Sequence, residues 1–224
     1  RLKNEVDKLN FGDTMKITAS DPGFFTDVKS WCSVTGNTLK SLNNEKGKIT
    51  AIIEKTPLKA SNLGAGALTD NKTLIVFSDD FDRAIASFII ANGAASMGKK
   101  VTMFFTFWGL NILKKSKKPK VKKDFMGSMF GMMLPKSSKK LSLSKLNMSG
   151  MGTSMMRMRM KSKNVDSLED MINIAIFNKI NLVACQMSMD MMGINKEELF
   201  DEVKIGGVAS YLEEAEKSNV NLFI

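Results

Sequence analysis

The chain has 224 residues, 43% hydrophobic and 25% charged, so it can bury a core and is neither disordered nor fibrous. It carries 33 Lys and Arg against 23 Asp and Glu, and no histidine. That excludes histidine general bases, Ser-His-Asp and Cys-His pairs, and histidine-bound metals. Two cysteines, Cys32 and Cys185, are too few for a zinc knuckle or a disulfide scaffold, and a reducing cytoplasm is expected.

The chain starts at Arg1 rather than Met, as a trimmed fragment would, and no secretory signal is visible. Residues 2–9 have the spacing of a short helix. Met15, Ile17 and Ala19 alternate as in a half-buried strand. Asp21-Pro22 reads as a helix cap with Pro in the first turn. Phe24, Val28, Trp31, Cys32 and Thr35 then share one helical face, which makes core packing the natural role of Cys32. Gly36-Asn37 ends that helix. Strands follow near 38–43 and 48–54, joined at Glu45-Lys46-Gly47. The result is a small two-layer α+β module over residues 1–55, followed by a linker at 56–71 that contains Pro57, Gly64 and Gly66.

Residues 72–224 read differently. The apolar run 73–77 suits a buried parallel strand. Asp79-Asp80 is placed to cap a helix over 81–97. That helix is apolar nearly all round, which points to burial on more than one side and to a homo-oligomer. Its apolar stretch, Ile85 to Met97, is broken by Asn92 and is too short to span a bilayer. A second strand covers 100–106. Further on, Asp166 and Glu169 form a capping-box pattern ahead of a helix with Leu168, Met171, Ile172, Ala175 and Ile176. Strands at 181–186, 203–205 and 219–224 complete the pattern. A helix with Val208, Leu212 and Ala215 follows Gly206-Gly207. Alternating strands and helices imply a parallel-sheet, flavodoxin- or Rossmann-like three-layer domain.

Between these elements, residues 114–163 hold 15 Lys and Arg and one acid, Asp124. The segment is +14 and the remainder −4. It is rich in Met, Ser and Gly and reads as a long loop-like insertion. Its plain role is a solvated basic loop; the sharper one is a landing site for an acidic partner or an anion, with the Met-rich part a partner-binding or, less well, a membrane-surface patch. Two arginines and few aromatics argue against nucleic acid. Copper held by thioethers is conceivable, but packing is the commoner role of Met clusters.

The chemistry points to Cys185, at the carboxyl end of a strand where open parallel sheets bind ligands. A short helix is expected from Gln186 to Met192. A thiol facing its first turn, near Gln186 and Ser188, meets N–H groups and a positive dipole end. Both favour a thiolate, a nucleophile toward sulfane sulfur, disulfides or thioesters. A small buried hydrophobe is the competing role. Gly206-Gly207 offers a second helix start where an anion can approach, or simply a tight turn. Ser78-Asp79-Asp80 replaces the glycine-rich loop a nucleotide would need. Helix capping and dipole pairing account for Asp79, Asp80 and Asp82. No metal and no cofactor is expected.

Several long strings resemble known families. GDTMKITASDPGFFTDVKSWCSVTGNTL, residues 12–39, resembles the TusA (SirA-like) sulfur-carrier family. Residues 73–113, LVACQMSMDMMGI at 182–194, KNVDSLEDMI and the closing IGGVASYLEEAEKSNVNLFI resemble the DsrE/DsrF-like family. The resemblance implies sulfur relay by a sulfurtransferase-type persulfide carrier. It implies partners such as rhodanese or coenzyme A disulfide reductase modules, and self-assembly. It matches Cys185 to the working cysteine of the DsrE-like half. TusA proteins carry sulfur on a Cys-Pro-x-Pro motif just before their first helix. This chain starts inside that helix, without the motif or the first strand. Cys32 matches a cysteine that is not the carrier. The first module is therefore not expected to perform the family's transfer step. The alternative reading is an interaction module without chemistry, docking a partner or an anionic membrane through 114–163.

Overall fold

The structure, a computed structural model, describes residues 2–20, 22–45, 47–57, 70–117, 119, 121, 123 and 125–224. Asp21, Lys46 and most of the expected linker lie outside them. In chain order the elements are α1 (Leu2–Asp7), β1 (Thr14–Ala19), α2 (Phe24–Thr35), β2 (Thr38–Glu45), β3 (Lys48–Glu54), β4 (Asn71–Val76), α3 (Phe81–Ser96), β5 (Val101–Phe105), α4 (Phe125–Met133), α5 (Met151–Ser162), α6 (Leu168–Phe177), β6 (Asn181–Cys185), α7 (Gln186–Met192), β7 (Lys204–Gly206), α8 (Val208–Glu216) and β8 (Ser218–Phe223). They group into two compact units, Arg1–Thr69 with Gly206–Asn219, and Asp70–Ile205 with Val220–Ile224.

The first unit holds a three-stranded antiparallel sheet in the order β1-β3-β2. β3 lies in the middle and alternates strictly. Ile49, Ala51 and Ile53 point inward and are at most 1% exposed. Period-two alternation places every second side chain on one face, so one face meets helices and the other meets water. Val28 and Cys32 of α2 close the core against Ala51 and Ile53, with Trp31 and Phe24 at its margin. α2 starts at Phe24 with Gly23 as its N-cap, so Pro22 lies in the turn before the helix rather than in its first turn.

The second unit is built on a five-stranded sheet in the order β7-β6-β5-β4-β8. β4 pairs with β5, and β5 with β6, in parallel. All five residues of β5 are buried, as a middle strand covered on both faces must be. α3 lays Phe81, Ala84, Phe88 and Ala91 on the core, and the Asn92 amide donates to the Met171 carbonyl of α6. Ile89 and Ile90 of α3 are exposed, 52% and 41%. No helix among the described residues is long and apolar enough to cross a membrane.

Two further local expectations are corrected. The segment 114–163 is not loop-like among the described residues: it contains α4, α5 and short 3-10 turns. Its sequence lacks periodicity because Met serves on buried and exposed faces alike, as Met160 and Met158 show. The capping box of α6 is Ser167 with Asp170, one residue beyond the Asp166–Glu169 pair. The Ser167 hydroxyl faces the Asp170 N–H, while Glu169 turns to Arg157 and Ser138. Val208 and Leu212 of α8 are exposed, 66% and 49%.

Candidate functional site

β6 is four-fifths sealed by its neighbours, with Leu182 to Cys185 all buried. Phe105 and Ala184 are in register, so β5 and β6 end at the same level of the sheet. Cys185 is the last residue of β6 and the N-cap of α7. Strand thus passes directly into helix at the thiol. Cys185 is free and 6% exposed, at the rim of the sheet but covered. Its sulfur makes no capping hydrogen bond to the first turn of α7. The expected thiol-to-N–H contact is therefore not formed.

Its neighbours hold the junction rigid. Ser188, fully buried, shares a 2.7 Å hydrogen bond with Thr106 at the end of β5. The Gln186 amide donates to Asp190 at 2.7 Å, one helical turn on. Met189 and Met192 are buried, while Met187 and Met191 are 59% and 60% exposed. α7 thus lays one face on the core and shows thioethers on the other. Gly193 ends α7 with φ +60, and a Cβ there would come 2.3 Å from the Gly127 Cα of α4. Lys123 donates to the Gly193 carbonyl at 2.6 Å and pairs with Glu198 at 2.6 Å, both side chains under 10% exposed. Glu198 also accepts from the Asn195 N–H, as part of a second capping box. The basic segment is therefore pinned to the far end of α7, and its Lys123 charge is matched locally. Sequence reasoning missed this clamp because Lys123 and Glu198 are 75 positions apart, with no pattern to link them.

Gly206 and Gly207 belong to the other unit. The Gly207 N–H donates to Asp27 at 2.9 Å, and Ser210 donates to the same carboxylate oxygen at 2.7 Å. The anion at the start of α8 is thus the protein's own Asp27 side chain. Cys32, in the same unit, is 4% exposed, and burial pushes its thiol up to about 11.

The three aspartates after β4 take separate roles. Asp80 is the N-cap of α3, but its side chain makes no capping hydrogen bond to the helix backbone. It accepts from Ser78 and pairs with Arg83 instead. Asp82 accepts from the Ser144 N–H and hydroxyl. Asp79 accepts from the Asn111 amide at 2.8 Å. Burial pushes its carboxyl above the usual range and the Asp80 charge adds to this, while Asn111 and Lys114 oppose it. A raised carboxyl binds its proton more tightly when folded, so stability falls as pH rises from the ordinary value of 3.8. Asp79→Asn is therefore expected to gain stability over the native chain as pH rises from 4 to 7, with the gain fading below pH 4. Thermal melts across that range would show it. A gain that grew toward low pH would contradict the assignment.

Comparison with known proteins agrees with the two units' sequence patterns. A family model described as the DsrE/DsrF/DrsH-like family matches residues 69–223, and one described as Sulfurtransferase TusA matches residues 1–55. YrkE of Bacillus subtilis, an uncharacterized protein, is 47% identical over 156 residues, 70% of this chain and 98% of its own length. The sulfur carrier protein DsrE2 of Allochromatium vinosum is 37% identical over 155 residues, 67% of this chain and 96% of its own. The crystal structure of the ychN protein from E. coli aligns at a TM-score of 0.41 and 12% identity, over 69% of this chain and 99% of that one. The chain belongs to the DsrE/DsrF/DrsH-like family, with a TusA module in tandem ahead of that domain.

Proposed function

We propose that this protein serves in a sulfur relay by carrying sulfane sulfur as a persulfide on Cys185. The relay role is supported by the two families and by the likeness to a sulfur carrier, DsrE2. The observation that carries the site is the position of Cys185, the last residue of an inner parallel strand and the cap of the helix that follows. Ligands of parallel sheets gather at that edge. Cys32, the other cysteine, is held protonated in a core at neutral pH.

The step is an exchange. The Cys185 thiolate attacks the outer sulfur of a donor persulfide, R–S–SH. A new S–S bond forms at Cys185 as the donor's S–S bond breaks. The donor leaves as a thiolate and takes up the proton that Cys185 gave up. Thiol plus persulfide becomes persulfide plus thiol, with no net oxidation. An acceptor thiolate then removes the sulfur by the same step in reverse. Donors and acceptors of the rhodanese or coenzyme A disulfide reductase type fit this chemistry.

Incubation with polysulfide followed by intact-mass and peptide mass spectrometry tests this. The native chain and Cys32→Ala are expected to gain one or more sulfur atoms, located on Cys185. Cys185→Ser is expected to gain none. Equal loading of native chain and Cys185→Ser would refute the assignment.

A further inference from the structure

α5 has a face that the sulfur chemistry leaves unused. Its inner side is fixed: Thr153 and Met160 are buried, and Arg157 bonds to Glu169 and the Ser138 carbonyl while lying 4.2 Å over the Phe81 ring. Its outer side carries Met151, Met155 and Met158, exposed by 58%, 60% and 67%. At 3.6 residues per turn these three fall within an arc of about 60°, opposite the buried pair. The exposed cations Arg159 and Lys161 stand roughly a quarter turn to either side of the stripe. Leu146 and Met148, 81% and 65% exposed, extend the apolar line just ahead of the helix. Between Lys139 and Lys163 there are seven Lys and Arg and no Asp or Glu.

We propose that this face rests on an anionic lipid surface. A narrow apolar ridge with cations set back on both sides matches the layering of a lipid surface, apolar beneath charged headgroups. The thioethers enter the boundary between headgroups and acyl chains, and Arg159 and Lys161 meet lipid phosphates. Charge complementarity favours an anionic surface: Arg157 is matched inside the fold by Glu169, while Arg159 and Lys161 stand exposed beside the ridge. A fluid lipid boundary also accepts a convex ridge without a matching groove, which a folded acidic protein would have to supply. The contact is peripheral, since the helix is only 12 residues long and anchored on its inner face. It does not depend on the chemistry assigned to Cys185.

Co-sedimentation of the full chain with vesicles tests the proposal. One set is phosphatidylcholine, the other a three-to-one mixture of phosphatidylcholine and phosphatidylglycerol. Binding to the mixed vesicles is expected to be at least about tenfold tighter and to weaken with salt. Met155→Ser with Met158→Ser is expected to weaken it roughly tenfold, as is Arg159→Glu with Lys161→Glu. These positions are exposed, so melting temperatures should stay within a degree or two of the native value. Cys185→Ser should bind like the native chain. Absent binding, equal binding to both vesicle types, or full binding by both double variants would overturn the proposal. So would a native dimer that these substitutions dissociate without any lipid present, since the face would then be a contact between copies.

Discussion

Lys123→Met is expected to cost about 3–5 kcal/mol of folding stability, because it leaves the Glu198 carboxylate buried without its cation. The pair is 2.6 Å apart, with side chains 8% and 6% exposed. Lys123 also loses its bond to the Gly193 carbonyl. Screening by solvent is weak at such a site, so the loss should persist at high salt. Lys123→Met with Glu198→Gln is expected to recover most of it. The glutamine oxygen still accepts from the Asn195 N–H, and no charge remains buried. Urea denaturation of the three proteins measures this. A single variant within about 1 kcal/mol of the native chain would show that the pair is solvated after all. The functional consequence is local. Lys123 holds the end of α7, and Cys185 is the cap at its start. The single variant should therefore also expose Cys185 to alkylation faster than the native chain.

Gly109→Ala is expected to cost about 3 kcal/mol, at the severe end for an overpacked site. A Cβ at 109 would lie 2.1 Å from the Val76 carbonyl oxygen and 2.8 Å from its carbon. Both are backbone atoms of a core strand, so neither can swing aside as a side chain would. The 3-10 segment Phe107–Leu113 would have to lift from β4, breaking the 2.7 Å bond from the Gly109 N–H to the Phe77 carbonyl. Leu110, Ile112 and Leu113, all fully buried, would open toward water. Phe107, held at φ 46° against the Phe77 ring, would lose its support. The Asn111 bond to Asp79 would go with them. Thermal and urea unfolding check the size. A change below about 0.5 kcal/mol would mean that the segment shifts freely.

Much of the architecture is legible in the order of the residues. Buried β strands announce themselves as short apolar runs, and β4 to β6 fall within two residues of the expected positions. β3 shows its inner face through Ile49, Ala51 and Ile53. The transition from β6 to α7 at Cys185 is visible because an apolar run meets a stretch with helical spacing. α5 escaped notice because its methionines lie on buried and exposed sides alike, which leaves no single apolar stripe to read. The placement of the α6 cap is ambiguous in sequence, since Asp166 to Asp170 offers two overlapping boxes. Only the direction of the Glu169 side chain, toward Arg157, decides between them.

Local spacing by itself determined the strands and helices outside residues 114–163, and that the thiol at 185 falls where a strand hands over to a helix. Periodicity and turn chemistry act over a few residues, so they survive in a linear string. The strand order β7-β6-β5-β4-β8, the Lys123–Glu198 pair, the close approach of Gly193 to Gly127 and the outward turn of the α5 methionines were decided by the fold alone. Each depends on which distant segments share space, and a methionine or lysine has the same letter whether it faces core, carboxylate or water.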